Sequence, residues 1–346
     1  MLAMPDLSAS ARPVVTRKDV ARLAGVSTAV VSYVVNGGPK NVAPATQEKV
    51  RQAIAALGYR PNVTARALKM GSSRILGMVV PKIGSPFFAS LAQAVEKAAE
   101  EAGYAMLLGD SRDSLTVERR HLSNFADRQV DGVFLCSVVN HRPEVSELEG
   151  RGIRTVLLNF SEYPLEVDAI GPEFVGSSRR AVEHLASHGH RDIALVQGFV
   201  TGNTLDGREF GWREALRGMG ASEGRVFRCS FDRAGGYDAG RRFLAVPDRP
   251  TAVFITSDEQ AVGFLRALHE AGLRVPEDVA VMSFDGSEES EFSWPPLSTV
   301  RQPIQQMAEA GVRAIIGTGR DEPPRTQVFD CDLVLRRSCG CEDHKS

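Results

Sequence analysis

The sequence lacks long apolar runs and has few cysteines, and each shortage removes a class of protein. Its unbroken hydrophobic stretches are as short as Ala252-Val253-Phe254-Ile255, far below the ~18 residues needed to cross a bilayer. The N-terminus has no positive patch followed by an apolar core, so no signal peptide is read and a cytoplasmic, membrane-free protein is expected. Five cysteines, unevenly placed in 346 residues, do not make a disulfide framework. There is no Walker A loop, no G-x-S-x-G elbow and no G-x-G-x-x-G after a strand, so neither a catalytic constellation nor a cofactor is expected. What is present is a globular composition, 43% hydrophobic and 24% charged, in a chain long enough for two or three domains of ~150 residues.

The net charge of -2 hides an asymmetry. Residues 1–70 carry ten Lys/Arg against three acids, a balance of +7, and the rest carries -9. A basic head on an acidic body suits contact with a polyanion, although charge alone leaves an ordinary solvated surface as the alternative. The pattern within the head decides. Residues 1–15 lack periodicity and are expected to be a disordered arm. Thr16-Arg17-Lys18-Asp19 has the form of a capping box, followed by apolar Val20, Leu23 and Ala24 on one face of a short helix. Gly25 supplies a left-handed turn, Val26 plugs the corner, and Ser27 caps a second helix over Thr28 to Val35. Pro44 opens a third helix, with Val50, Ile54 and Leu57 on its inner face and Gly58 at its end. Two short helices joined by a glycine turn are the signature of a helix-turn-helix reader. The bland alternative is a three-helix bundle packed on the rest of the protein.

In such a reader the second helix lies in the major groove with its N-terminal residues at the base edges. Thr28, Ala29, Ser32 and Tyr33 are the outward candidates for base contact. Thr16, Arg17, Arg22, Lys40 and Asn41 are the candidates for phosphates, which set register without carrying sequence information. After Pro61, Asn62 is a good N-cap for Val63-Thr64-Ala65-Arg66-Ala67-Leu68-Lys69. That segment is too short to be a stable helix alone, so it needs a partner or is a plain linker. Gly71-Ser72-Ser73 has the better linker composition.

The segments TRKDVARLAGVSTAVVSYVVNG and EKVRQAIAALGYRPNVTARALK resemble the head of the LacI/GalR family of bacterial transcription regulators. The resemblance implies that the segment from Asn62 to Lys69 forms a hinge helix. It would pair with its mate in a dimer and enter the minor groove, with Leu68 levering base pairs apart and Ala65, Arg66 and Lys69 beside it. An apolar wedge of this kind costs unstacking energy and gains a kinked duplex with more contact surface.

From Ile75 short apolar strands alternate with amphipathic helices. Strands are expected at Ile75–Val80, Tyr104–Leu108, Val133–Leu135, Thr155–Leu158, Ile193–Gln197, Val226–Ser230, Ala252–Ile255 and Val279–Ser283. Seven helices lie between and after them, at Phe87–Ala102, Leu115–Arg128, Glu173–His188, Asp206–Arg217, Ala234–Leu244, Asp258–Ala271 and Pro303–Thr318. The alternation gives an α/β class with doubly wound parallel sheets, and the length divides it into two lobes with a ligand cleft at the strand ends. GSPFFASLAQAVEKAAEEAGY, EHLASHGHRDIALV, GREFGWREAL, RPTAVFITSD, GLRVPEDVAVMSFDG and LVLRRSCG resemble the effector-binding core of the same family, which is akin to periplasmic sugar-binding proteins. The resemblance implies three chain crossings, near Pro172, Val300 and Arg325. The expected organisation is a head at 16–60, hinge and linker at 61–73, an N-lobe at 74–172 and 300–325, and a C-lobe at 173–299 and 326–346.

The same resemblance carries cleft roles to matching positions. Phe87, Phe88 and Phe231 offer ring faces, Asp110 and Asp285 accept hydroxyls, and Arg208 grips a ligand bidentately. Ser257 is read as a helix cap that also faces the cleft, Asp258 as mainly structural, and Asn203 as a weaker candidate. Arg, Asp and aromatic faces suit a sugar or another small polar metabolite. Cys136-Ser137-Val138-Val139 lacks the acid some sugar-binding relatives carry, and Gly202 stands where purine-binding relatives have arginine. The expected mechanism is a dimeric repressor on a palindromic operator, controlled by a small-molecule effector. The tail has no Leu heptads, so no tetramerising coiled coil is expected. A transport receptor and a sugar-modifying enzyme are the rival readings. The first would carry a signal peptide, and the second a nucleophile, base or cofactor loop.

His184 and His188 lie four apart on a helix, with His190 after its end; the three could bind a metal, but a helix C-terminus favours histidine in any case. Cys331, Cys339, Cys341 and His344 have irregular spacing for zinc. No metal site is therefore assigned from sequence, and Cys136 and Cys229 read as small buried hydrophobes.

Overall fold

The computed structural model describes residues 15–36, 41–60, 71–136, 142–160, 167–199, 206–221, 224–317 and 324–342. It divides into two units, Met1–Ser73 and Arg74–Ser346. All but Val15 of the expected arm at 1–15, together with Lys40, the hinge residues Ala65, Arg66, Leu68 and Lys69, and Asn203, lie outside the described residues.

In the first unit, α1 (Arg17–Ala24) begins at Thr16 with a capping box. Asp19 Oδ2 accepts from the Thr16 N–H at 3.0 Å and from the Thr16 hydroxyl at 2.6 Å. Gly25 ends the helix at φ +66°, and the Val26 N–H closes the turn on the Ala21 carbonyl. Ser27 Oγ accepts from the Val30 N–H at 3.2 Å, which caps α2 (Thr28–Asn36). Helix α3 (Pro44–Leu57) starts on Pro44 and stops at Gly58, φ +63°. Val20, Ala21, Val31, Val50, Ala53 and Tyr59 are buried together as the core of this small bundle.

The second unit contains two six-stranded sheets. The first is β11-β5-β4-β3-β1-β2, built from β1 (Ile75–Val80), β2 (Ala105–Asp110), β3 (Gly132–Leu135), β4 (Arg154–Leu158), β5 (Asp168–Pro172) and β11 (Thr326–Phe329). All its neighbours are parallel. The second is β12-β10-β9-β8-β6-β7, built from β6 (Ile193–Gly198), β7 (Val226–Cys229), β8 (Ala252–Ile255), β9 (Ala280–Asp285), β10 (Ser298–Arg301) and β12 (Asp332–Val334). Only β12 runs antiparallel to its neighbour. Helices α4 (Pro86–Glu101), α5 (Leu115–Asp127), α6 (Arg142–Gly150) and α12 (Ile304–Gly317) serve the first sheet. Helices α7 (Phe174–Ser187), α8 (Gly207–Gly218), α9 (Arg233–Leu244), α10 (Asp258–Glu270) and α11 (Glu288–Phe292) serve the second. Each sheet separates two apolar clusters, so both faces are covered, as parallel sheets require.

The chain crosses between lobes three times, but two crossings differ from the sequence expectation. Strand β10 extends to Arg301, which pairs with Asp285, so the second crossing falls at Gln302-Pro303 rather than at Val300. Strand β11 pairs with β5, Thr326 opposite Ala169 through Phe329 opposite Pro172. Residues 326–329 therefore belong to the N-lobe, and the third crossing is at Asp330-Cys331, not Arg325. The physical reason is that β11 is a polar edge strand, mostly exposed. It carries no apolar run to announce it.

Candidate functional site

The head and the body each present a candidate site. In the head, Thr28 and Ala29 are exposed at the start of α2, and Ser32 and Tyr33 are half-buried one turn further on. Thr16, Arg17, Arg22 and Asn41 are exposed on the same small unit. Arg22 is not a free cation: its Nη2 lies 2.7 Å from Asp19 Oδ1, one helical turn away, with 81% of its side chain exposed. The carboxyl of Asp19 is held below its ordinary value, first by the Thr16 hydroxyl, then by the Thr16 N–H and Arg22.

In the body, a cavity of about 330 Å³ opens where the strand ends of the two lobes face each other. In both sheets the strand order reverses around one strand, β1 in the N-lobe and β6 in the C-lobe. Such reversal points leave a crevice at the carboxyl ends of the strands. The lining follows from that rule. Pro81, Lys82 and Ser85 follow β1, Ser111, Asp113 and Ser114 follow β2, and Asn159 follows β4. From the other lobe come Phe199 after β6, Ser230 and Phe231 after β7, Ser257 after β8, and Asp285 at the end of β9.

Arg208 is held from several sides. Asp206 caps α8 by accepting from the Arg208 N–H at 2.8 Å, and its two oxygens also take the Arg208 Nε at 2.8 Å and Nη2 at 2.7 Å. Arg208 Nη1 donates to the Thr256 carbonyl at 2.8 Å. The rings of Phe174, Phe231 and Phe284 lie 5.1, 5.2 and 5.7 Å from the guanidinium carbon. Three of the five guanidinium N–H groups are used, which leaves two for a ligand. Burial opposes the charge on Asp206, yet Arg208 holds its carboxyl below the ordinary value.

Asp285 stands at φ +114°, a conformation that an L-residue rarely adopts. Strain of this kind costs ~1–3 kcal/mol and gathers at binding sites. Gln302 Nε2 donates to Asp285 Oδ1 at 2.9 Å and fixes the side chain. Burial pushes the Asp285 carboxyl well up, the nearby Asp258 adds to the rise, and Arg208 and Gln302 only partly offset it. Asp258 is itself buried and outside the lining. It accepts from the Ser283 hydroxyl at 2.5 Å, the Thr299 hydroxyl at 2.8 Å, and the Ser287 N–H and hydroxyl at 2.6 and 2.8 Å. It thereby ties down the loop that follows Asp285. Ser257 Oγ accepts from the Gln260 N–H at 3.2 Å, so it caps α10 while lining the cavity.

Phe87 and Phe88 both line the cavity, with rings 5.1 Å apart and edge-on. Asp110 does not line it. Its Oδ1 accepts from the Arg112 N–H at 3.0 Å, so it caps the loop after β2, and Asp113 lines the cavity instead. The left-handed residues Arg112 and Asp113 make this turn, and no sequence period signals it. Sequence reasoning also missed Lys82 and Glu259, which bridge the lobes at 3.2 Å. Gly198 was missed as well: a Cβ there would come within 2.0 Å of the Phe231 ring. Gly198→Ala is accordingly expected to displace Phe231 and weaken ligand binding, as isothermal titration would register.

A helix-turn-helix head followed by a two-lobed cleft of this build defines a DNA-binding regulator with a ligand-binding body. Residues 16–62 match the bacterial regulatory proteins of the lacI family, and residues 182–339 match the periplasmic binding protein-like domain. The ribose operon repressor of Escherichia coli is 34% identical over 304 residues, covering 87% of this chain and 92% of the relative. The transcriptional repressor PurR of Photobacterium profundum is 31% identical over 331 residues, covering 93% and 98%. The crystal structure of the lac repressor dimer bound to operator and the anti-inducer ONPF aligns with a TM-score of 0.85 at 26% identity, covering 94% of this chain and 99% of that one. The chain belongs to the lacI family of bacterial regulatory proteins and is a DNA-binding transcription regulator. Among the described residues no helix is long and apolar enough to cross a membrane.

Proposed function

We propose that the protein is a cytoplasmic repressor, without enzymatic activity, that binds a palindromic operator as a dimer and releases or tightens it when a small polyhydroxylated ligand, a sugar, enters the cleft. The observation that carries the ligand half is the cavity itself. It combines ring faces at Phe87, Phe88 and Phe231 with the anchored pair of Arg208 and Asp285, at a volume within the usual range for small-ligand sites. Carboxylates accept sugar hydroxyls, a guanidinium donates to them, and rings cover the apolar sugar face. The DNA half is supported by the exposed start of α2 and the basic balance of residues 1–70. Thr28, Ala29, Ser32 and Tyr33 would meet base edges, and Thr16, Arg17, Arg22, Lys40 and Asn41 would meet phosphates. In this reading 16–60 is the reader, 61–73 the hinge and linker, and 74–346 the sensing and dimerisation body. The hinge would act through Ala65, Arg66, Leu68 and Lys69.

The chemistry that links the two halves is closure. A ligand touching both lobes favours the spacing at which its contacts are made, and any differential contact shifts the hinge equilibrium by a coupling of ~1–3 kcal/mol. The Lys82–Glu259 ion pair belongs to that spacing. Lys82→Met removes it while Glu259 keeps Arg233 at 3.1 Å. The expected result is a several-fold weaker ligand affinity with a nearly unchanged melting temperature. Unchanged affinity would show that the pair plays no part in closure.

The test of the whole reading is a thermal-shift screen of pentoses, hexoses, disaccharides and nucleosides, followed by DNA binding with and without the best hit. A sugar that raises the melting temperature and alters DNA affinity supports the reading, whereas stabilisation by nucleosides alone overturns the ligand class. Leu68→Ala should weaken specific operator binding far more than nonspecific binding. Equal loss in both would refute the wedge role.

A further inference from the structure

His184 and His188 stand more than 150 residues before Cys339 and Cys341 in the sequence, and the fold brings the four together. His184 lies in the last turn of α7 and His188 caps that helix, four residues on. The chain returns to this helix end only after both sheets are built. There it forms a 3-10 turn over Arg337–Cys339, followed by Gly340 at φ +99° and Cys341. The left-handed glycine turns the two thiols of Cys339-Gly340-Cys341 toward the imidazoles. His184 Nε2 is 3.3 Å from Cys339 Sγ and 3.5 Å from Cys341 Sγ, and His188 Nε2 is 3.5 Å from Cys341 Sγ. All four donor atoms lie within 4.8 Å of one another.

We propose that His184, His188, Cys339 and Cys341 bind one divalent zinc ion that clamps the end of the chain to α7. Two thiolates and two imidazoles are the donor set of a closed tetrahedral structural site, and that set selects a borderline-soft metal over magnesium or calcium. Metal–sulfur bonds of ~2.3 Å and metal–nitrogen bonds of ~2.0–2.1 Å imply tetrahedral nitrogen–sulfur edges of about 3.5 Å. Three nitrogen–sulfur separations, at 3.3, 3.5 and 3.5 Å, stand near that edge length, and the widest donor separation, 4.8 Å, closes when the metal binds. The alternative explanation for histidine at a helix C-terminus is favourable interaction with the helix dipole. That accounts for His184 and His188 alone, but not for two thiols arriving from a position 155 residues later in the chain. Cys331 is outside the cluster, buried in the C-lobe core, and His344 lies outside the described residues. Cys339 is buried, Cys341 is half-buried and His188 is exposed, so the ion has an entry path from solvent.

The clamp joins the 3-10 turn at Arg337–Cys339 to the helix whose other end carries Phe174, which lies against Arg208. Metal is therefore expected to stabilise the C-lobe.

The test uses the full chain, isolated under reducing conditions without chelator. Elemental analysis should find one zinc per chain, and a strong chelator should remove it and lower the melting temperature. Cobalt added to the metal-free chain should give thiolate-to-cobalt charge-transfer absorption and tetrahedral d–d bands. Cys341→Ser and His188→Gln, both at positions reached by solvent, should lose the charge-transfer band or shift it while retaining operator binding as the measure of an intact fold. A chain that takes up no cobalt, gives only weak octahedral bands, or binds cobalt equally in both variants overturns the proposal. So does recovery of Cys339 and Cys341 as a disulfide from cells lysed anaerobically.

Discussion

Arg208→Ala is expected to abolish the ligand response, lower the stability of the body, and leave the DNA affinity of the ligand-free protein within a few-fold of its starting value. The loss of response follows from the two guanidinium N–H groups left for a ligand and from the ring faces that flank them. The loss of stability follows from Asp206. Its carboxylate is only 10% exposed and is bound at two oxygens by the Arg208 side chain. Removing one partner of a buried ion pair costs about 3–5 kcal/mol, because the other charge stays buried. The Asp206 contact to the backbone N–H at 208 survives the substitution, so the lower part of that range is expected. The pH dependence gives an independent check. With its carboxyl held below 3.8, Asp206 contributes stability that is present above the unfolded value and lost as pH falls through the folded one. Without Arg208, burial acts with far less opposition and the sign reverses: the variant loses stability as pH rises. Melting temperatures should therefore diverge most at neutral and alkaline pH. Arg208→Lys retains charge without the bidentate fork, so it should recover part of the stability and little of the response. A variant that still responds to ligand places the binding site elsewhere.

Asp285→Asn is expected to do the opposite to stability. Asp285 is a half-buried carboxyl close to a second, buried one, Asp258, and desolvation raises it well above its ordinary value, with Asp258 adding to the rise. For an acid raised in this way the contribution to stability is present below about 3.8, the unfolded value, and is lost as pH rises through the folded value. The amide cannot ionise, so the variant should melt above the wild type, with a gap that widens as pH rises. Asparagine also tolerates positive φ better than most residues, so the strained turn survives. Ligand binding should fall together with that gain. Hydrogen bonds to a charged group are worth about 1.5–3 kcal/mol, roughly ten- to a hundredfold in affinity. Calorimetric titration with the sugar found by screening measures the second effect and differential scanning the first. A melting gap that does not change with pH, or an unchanged affinity, would contradict the role given to Asp285. The two effects together would show binding function maintained at the expense of stability.

The sequence was most legible where local chemistry acts alone. The capping box at Thr16, the glycine turn at Gly25 and the proline start at Pro44 each carry a local mechanism, and the helices begin and end on them. Central strands such as Ile75–Val80 and Ala252–Ile255 stood out as continuous apolar runs because both faces are buried. Edge elements did not: β11 is polar and β12 has only three residues, so one crossing was placed five residues early. In the cavity, Arg208, Phe231, Phe87, Phe88, Ser257 and Asp285 were found through a motif or a strand end. Asp110 was misjudged because a carboxylate after a strand serves a turn as readily as a ligand. Lys82 and Glu259 carried no motif, since their partnership exists only once the lobes face each other. The histidine–cysteine cluster was invisible for the same reason: its halves are joined by topology and not by spacing.

The account rests on a DNA-reading head governed by a metabolite-sensing body, and one selection experiment tests it most directly. The full chain is incubated with a random duplex library in a salt series, with and without the sugar that stabilises it, and bound fragments are sequenced. The account predicts enrichment of one two-fold-symmetric motif, an affinity that falls steeply with salt, and a clear shift in that affinity on adding the sugar. Deletion of residues 1–73 should remove the enrichment entirely. No enriched motif, or a symmetric motif bound identically with and without every ligand that stabilises the body, would contradict it.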